Sequence, residues 1–135
     1  MEHRVWAKVT FTGWVPTGRA VGNAASALAK PATLELGGKN AALFLADMSV
    51  SEMVDGIMEA GYVNQGQICA SAERFYLPAE KMDEVLGALI QRLSQLNVAS
   101  PFDEDCQVGP LANKAHLEKI QKMVARANED GDEIL

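Results

Sequence analysis

The sequence predicts an α/β protein organised around a largely parallel sheet, and three observations carry that prediction. Short strand-like segments recur between segments whose apolar residues repeat about every 3.6 positions, the alternation that builds parallel sheets. The apolar run Ala41–Ala46 has the character of a strand covered on both faces, as parallel strands usually are. No repeat, low-complexity tract or Gly/Ser/Pro-rich linker divides the 135 residues, so a single core is expected.

The elements follow in order. Val9–Thr12 alternates as a short strand and stops at Gly13; the Ala-rich segment Gly18–Ala29 reads as a helix that Pro31 ends. Thr33–Leu36 is a second strand, Gly37-Gly38 a turn open only to small residues, and Ala41–Leu45 a buried strand. Ser51 suits the N-cap of a helix from Glu52 to about Tyr62, after a loop made polar by Asp47 and Ser49. Arg74–Leu77 reads as a strand. After Pro78 comes the clearest helix, with Met82, Val85, Leu86, Leu89, Ile90, Leu93 and Leu96 along one stripe. A loop from Asn97 to Asn113 leads to a last helix carrying Leu117, Ile120, Val124 and Ala127 on one face, ended by Gly131. Ile134-Leu135 would open a further strand. A strand within the first ten residues and another at the last two read as a slice of a larger sheet, with an independent small domain as the competing reading.

Composition narrows the function classes. The chain is 48% apolar and 22% charged, a globular balance, and its net charge of −6 with a pI near 4.8 opposes binding to nucleic acid or an anionic membrane surface. The apolar run Ala41–Ala46 is far short of the roughly 20 residues of a membrane-spanning helix. The N-terminal stretch Met1-Glu2-His3-Arg4-Val5-Trp6-Ala7-Lys8 has charges where a signal peptide is apolar. A cytoplasmic, reducing location is the expectation, and it suits two cysteines that need not pair. His3 and His116 are lone, so no metal site is expected.

Cys69 lies in Asn64-Gln65-Gly66-Gln67-Ile68-Cys69, a glycine and three amides that offer a tight, hydrogen-bonding loop around a thiol. The plain alternative is a small buried apolar residue. Cys106, beside Asp103-Glu104-Asp105, has carboxylates that oppose thiolate formation and reads as inert. Glu35 stands between Leu34 and Leu36; burial there would raise its pKa toward that of a general base, while simple alternation would point it to water and Lys39 is a candidate ion-pair partner. Phe11-Thr12-Gly13-Trp14-Val15-Pro16-Thr17-Gly18 is a strand, a glycine turn and a helix start, which can hold a phosphate or be a plain turn. A Cys69–His116 hydrolase pair is a further alternative with nothing to orient the histidine.

Taken together and in order, Phe11-Thr12-Gly13, Glu35-Leu36-Gly37-Gly38-Lys39, Gly66-Gln67-Ile68-Cys69 and Gln107-Val108-Gly109-Pro110-Leu111 resemble the NAD(P)-dependent aldehyde dehydrogenase superfamily. The resemblance covers essentially the whole chain. It implies a parallel-sheet fragment of that fold, with residues 1–36 ending a Rossmann-like NAD(P)-binding domain and residues 37–135 opening the catalytic domain. It implies oxidation of an aldehyde to a carboxylic acid with NAD or NADP, Cys69 as nucleophile and Glu35 as base. Gly13, Trp14, Gly18, Leu36 and Gly37 would lie along the cofactor. Trp14 departs from the pattern, since the family usually has Ser there, near the pyrophosphate. The family's upstream Asn and Lys, its downstream Glu-x-Phe-Gly-Pro segment and its oligomerisation strands have no match here. The expectation is therefore a truncated form inactive by itself, a homo-oligomer or an associate of a full-length relative. The alternative is a non-catalytic folding or interaction module.

Overall fold

The computed structural model describes His3 and residues 5–135. Met1, Glu2 and Arg4, part of the charged stretch that argues against a signal peptide, lie outside the described residues. Among the described residues the chain divides into two compact units, one taking in residues up to Phe44 together with Ile57–Tyr76, the other Leu45–Gly56 and Leu77–Leu135.

The first unit contains β1 (Val9–Thr12), α1 (Val15–Ser26) and β2 (Ala32–Glu35), with β1 and β2 parallel and in register from Val9 opposite Ala32 to Thr12 opposite Glu35. The helix starts earlier than the predicted Gly18 because Pro16 fits its first turn, where a missing N–H costs nothing. It ends at Ser26, before Ala29 turns left-handed at φ 52°. Gly18 lets α1 approach β2: a Cβ there would stand 2.2 Å from Leu36 Cδ2, and one at Gly22 would stand 3.2 Å from Leu34 Cδ1. Ala25 is fully buried on the same helix.

A second parallel pair, β3 (Asn40–Leu43) and β4 (Ala72–Tyr76), belongs to the same unit, so two two-stranded sheets stand where a single larger one was expected. β3 was predicted as buried from Ala41 to Leu45, yet its burial alternates and Leu43 is 73% exposed. Phe44 and Ala72 are buried while Leu43 and Leu45 face out, so only one side of the pair is covered.

α2 (Val50–Ile57) begins two residues before the predicted start at Glu52. Its cap is Ser49 rather than Ser51: the Glu52 N–H donates to Ser49 Oγ at 3.3 Å, and the Ser49 N–H donates back to Glu52 Oε2 at 2.7 Å. This reciprocal capping box fixes the helix entrance. The bond from the Ser49 hydroxyl, then that from the Ser49 N–H, holds the Glu52 carboxyl below its ordinary pKa, with Lys81 adding a smaller charge effect. The predicted α-helix to Tyr62 changes character on the way. A π-helical turn (Met58–Tyr62) and a 3₁₀ turn (Val63–Gly66) follow Ile57.

In the second unit α3 (Met82–Ser94) follows a 3₁₀ turn at Ala79–Lys81 and buries Val85 completely. Met53 and Val54 of α2 are also buried, and a cleft of about 340 Å³ is lined by Val54 and Asp55 of α2 with Ala88 and Arg92 of α3. The Lys81 Nζ donates to the Ala46 and Met48 carbonyls, fixing the loop ahead of α2. A parallel bridge between Val98 and Val108 ties the loop that leads to α4 (Lys114–Asp130). Asn113 caps α4 by accepting from the His116 N–H at 2.9 Å, and Gly131 ends it at φ 88°. Leu117, Ile120, Met123 and Val124 of α4 are exposed, and Ile134 and Leu135, predicted to open a strand, have no regular structure. Among the described residues no helix is long and apolar enough to cross a membrane.

Candidate active site

The carboxyl ends of β1 and β2 bring the first two predicted segments together. The Gly13 N–H donates to the Glu35 carbonyl at 3.0 Å, so the glycine turn and the candidate base are neighbours. This is the edge of a parallel sheet where ligands characteristically bind. Trp14 occupies the N-cap of α1 in an extended conformation, with its indole 69% exposed. An indole has no oxygen to accept from the first-turn N–H groups. Gly18 and Leu36 pack directly on each other.

Glu35 is exposed as the last residue of β2, the orientation that simple alternation predicted, and not the buried carboxylate of the other reading. Nor does Lys39 pair with it. The Lys39 backbone N–H donates to Glu73 Oε1 at 2.8 Å and its Nζ stands 3.5 Å from Glu73 Oε2. That backbone hydrogen bond, with smaller help from the Lys39 and Arg74 charges, holds the Glu73 carboxyl below its ordinary pKa.

The chain approaches Cys69 through an unusual backbone. Asn64, Gln65 and Gly66 have φ of 51°, 59° and 70°, consecutive left-handed residues next to the π-helical turn. Asn tolerates this conformation better than most side chains, and Gly66 is required, since a Cβ there would stand 2.9 Å from the Gly61 carbonyl. Strained backbone and π-turns of this kind concentrate at functional sites. The Gln67 N–H donates to the Asn64 carbonyl and the Ser71 N–H to the Ile68 carbonyl, closing the loop on both sides of the thiol.

Cys69 is a free, exposed thiol rather than the small buried residue of the plain alternative. Gly37 lies against it: a Cβ on Gly37 would stand 3.6 Å from the Cys69 carbonyl oxygen and 4.0 Å from Cys69 Cβ. The two segments that carry the candidate base and nucleophile therefore meet, although they are far apart in sequence. A cavity of about 300 Å³, lined by Val63, Ile68, Ala70 and Ser71 among others, opens beside the Cys69 loop.

Residues that the sequence did not single out hold this meeting in place. The Asn40 Nδ2 donates to the carbonyls of Cys69 at 2.5 Å and Ser71 at 3.1 Å, and Arg74 Nε donates to the Lys39 carbonyl at 3.1 Å. The available signal was polar residues at the start of two apolar strands. The other candidates lie elsewhere. Cys106 is half-buried with its thiol donating to the Ala99 carbonyl, and His116 belongs to the second unit. Among the described residues no cluster of His, Cys, Asp and Glu could hold a metal ion.

The chain belongs to the aldehyde dehydrogenase family, whose model matches residues 1–135. It is 34% identical over 134 residues to 4-trimethylaminobutyraldehyde dehydrogenase of Bos taurus, covering 99% of this chain and 27% of that protein. It is 38% identical to 2-aminomuconic 6-semialdehyde dehydrogenase of a Pseudomonas species, covering 96% of this chain and 26% of that protein. Among solved structures, the NAD+ complex of aldehyde dehydrogenase from Bacillus cereus superposes with a TM-score of 0.91 at 26% identity, covering 96% of this chain and 26% of that one. The chain thus spans about a quarter of the length of the relatives it matches.

Proposed function

We propose that this chain provides the nucleophile and the base for NAD(P)-dependent oxidation of an aldehyde to a carboxylic acid. The observation that carries the proposal is the contact of Gly37, two residues after Glu35, with Cys69. Residues up to Leu36 correspond on this reading to the end of the cofactor domain and residues 37–135 to the first half of the catalytic domain.

The Cys69 sulfur, as thiolate, attacks the aldehyde carbonyl carbon and forms a thiohemiacetal. NAD(P)+, when bound, supplies the hydride acceptor that takes this adduct to the thioester level. Glu35 then takes a proton from the water that attacks the thioester carbon; the carbon–sulfur bond breaks, the acid leaves and the thiol is restored. Exposure suits Glu35 to this last step, which needs a base in contact with water.

The residues present fit a dinucleotide at the β1–α1 turn. Gly13 opens the turn at φ 156° and α1 presents backbone N–H groups at its start, a combination suited to a phosphate. Gly13, Trp14 and Gly37 would border the cofactor there, while Gly18 and Leu36 support the turn by packing. Trp14 narrows the approach where a hydroxyl would add a donor. A cytoplasmic location belongs to the same proposal.

Because the chain spans a quarter of its relatives' length, acylation of the thiol reads this site more directly than NADH formation does. With p-nitrophenyl acetate, Cys69 should be acetylated far faster than Cys106, Cys69→Ser should abolish the burst, and Glu35→Gln should preserve the burst but slow deacylation. Equal labelling of the two cysteines would refute the assignment. Incubation with aldehydes and NAD(P)+ should give little NADH, and robust turnover would show that this chain suffices.

A further inference from the structure

We infer that Asn40 is a positioning residue for Cys69, kept in place by the contact between Lys39 and Glu73; this deepens the thiol chemistry proposed above and rests on it. Three observations converge on it. First, the Asn40 Nδ2 donates to the carbonyls of both Cys69 and Ser71, so the amide's two hydrogens are committed to the nucleophile's own peptide plane and to the one two residues on.

Second, the β3–β4 register shifts between Asn40 and Ala41: Asn40 lies opposite Ala72 and Ala41 opposite Arg74. Glu73 is the residue left over. A bulge re-aims the side chain it frees, and here the carboxylate turns back onto the Lys39 N–H at 2.8 Å. Third, Lys39 is left-handed at φ 60°, a conformation that a non-glycine residue holds at a cost. Its N–H and carbonyl are both bonded to β4 side chains, the first to Glu73 and the second to Arg74 Nε at 3.1 Å.

The consequence is geometric. Lys39 directly precedes Asn40, so fixing its peptide sets where Asn40 enters β3 and hence where its amide reaches the Cys69 carbonyl. The same turn carries Gly37 against Cys69 and begins two residues after Glu35. Asn40 therefore orients the nucleophile, and the Glu73 contact couples that orientation to the segment bearing the base.

The test uses the whole chain and p-nitrophenyl acetate. In the reaction the Cys69 sulfur bonds to the acetyl carbon, p-nitrophenolate leaves, and water later returns the thiol and acetate. Asn40→Leu keeps about the side chain's size, removes both donors and adds no charge that would itself oppose thiolate formation. It should slow acetylation of Cys69 about tenfold, because a small misplacement of a reacting group is costly in rate, while alkylation of Cys106 by iodoacetamide stays unchanged. Glu73→Ala should slow acetylation about threefold, and Glu73→Gln, which keeps an oxygen for the Lys39 N–H, should restore most of it.

A folded Asn40→Leu chain acetylated at the unmodified rate overturns the inference, as does a set of variants that lowers the melting temperature without moving the burst. If Asn40→Leu fails to fold, the comparison of Glu73→Ala with Glu73→Gln decides alone. Unmodified chain in which Cys69 reacts no faster than Cys106 removes the underlying thiol assignment. Normal Cys69 reactivity with unresponsive variants removes only the positioning role.

Discussion

The two parallel strand pairs are built by opposite means. β1 and β2 pair through four consecutive residues without a shift, and the helix between them closes on β2 by apolar contact, Gly18 under Leu36 and Gly22 under Leu34. β3 and β4 carry a register shift at their start and are joined there by polar contacts from Asn40, Glu73 and Arg74. The regular pair is the scaffold that presents the glycine turn. The irregular pair is where a backbone departs from the ladder to hold a thiol, and departures of that kind need side-chain hydrogen bonds in place of the ladder bonds they forgo.

That contrast can be broken from either side. The scaffold is tested by Gly18→Ala, whose new methyl would stand 2.2 Å from Leu36 Cδ2, the end of a side chain that must swing aside. Overpacking of this kind should cost about 1–3 kcal/mol in chemical denaturation, partly recovered by adding Leu36→Ala. Below its melting temperature the variant should still acetylate Cys69 normally, because the scaffold and not the thiol loop has been disturbed. Gly66→Ala tests the other pair: the left-handed backbone and the Gly61 carbonyl 2.9 Å away predict a loss of about 1–2 kcal/mol, here accompanied by slower acetylation. If Gly18→Ala slowed the chemistry and Gly66→Ala did not, the division of labour would be wrong.

A smaller change is expected from Trp14→Ser. A hydroxyl at this N-cap can accept from the first turn of α1, worth about 1 kcal/mol of stability. Binding of NAD(P)+, followed by calorimetry, should strengthen relative to the chain with Trp14. The smallest effect is electrostatic. The Lys39 N–H holds the Glu73 carboxyl below the ordinary carboxylate pKa, so its contribution to stability is fully present above that ordinary value and is lost as pH falls through the lower folded-state value. The Lys39 amide signal in an NMR titration should shift with an inflection on the acid side of an ordinary carboxylate, and Glu73→Gln should abolish it.

Much of the scaffold was legible in the sequence because it is local. Val9–Thr12 alternates and forms β1 with those bounds, and Gly131 ends the last helix. Local reading missed by small amounts where two residues compete for one role, as Ser49 and Ser51 do for the α2 cap; the reciprocal bond with Glu52 decides for Ser49. The segments bearing Glu35 and Cys69 were visible as motifs, and their meeting through Gly37 was not, since nothing in either segment encodes the distance to the other. The amides of Asn64, Gln65 and Gln67 suggested hydrogen bonding around the thiol and supply it, Asn64 Nδ2 donating to the Gln67 carbonyl and Gln67 Nε2 to Gln65 Oε1, both at 3.3 Å; the left-handed backbone of Asn64 and Gln65 is the part that was not legible. Glu73 and Asn40 escaped notice because a bulge leaves no periodic trace: alternation reads straight through it. Glu35 shows the limit of composition, for apolar neighbours in sequence did not make an apolar environment.

The way the two units share the chain bears on how it is made. The boundary is crossed at 44/45, 56/57 and 76/77, so Leu45–Gly56 is threaded into the middle of the unit that holds the thiol. As the polypeptide leaves the ribosome, β1 and β2 can pair early, but β3 must wait until Tyr76 has emerged, and meanwhile residues destined for the other unit are already outside. Since domains tend to fold as units in the order of synthesis, the thiol loop should be the last part of its unit to order, and no single proteolytic cut can release either unit intact.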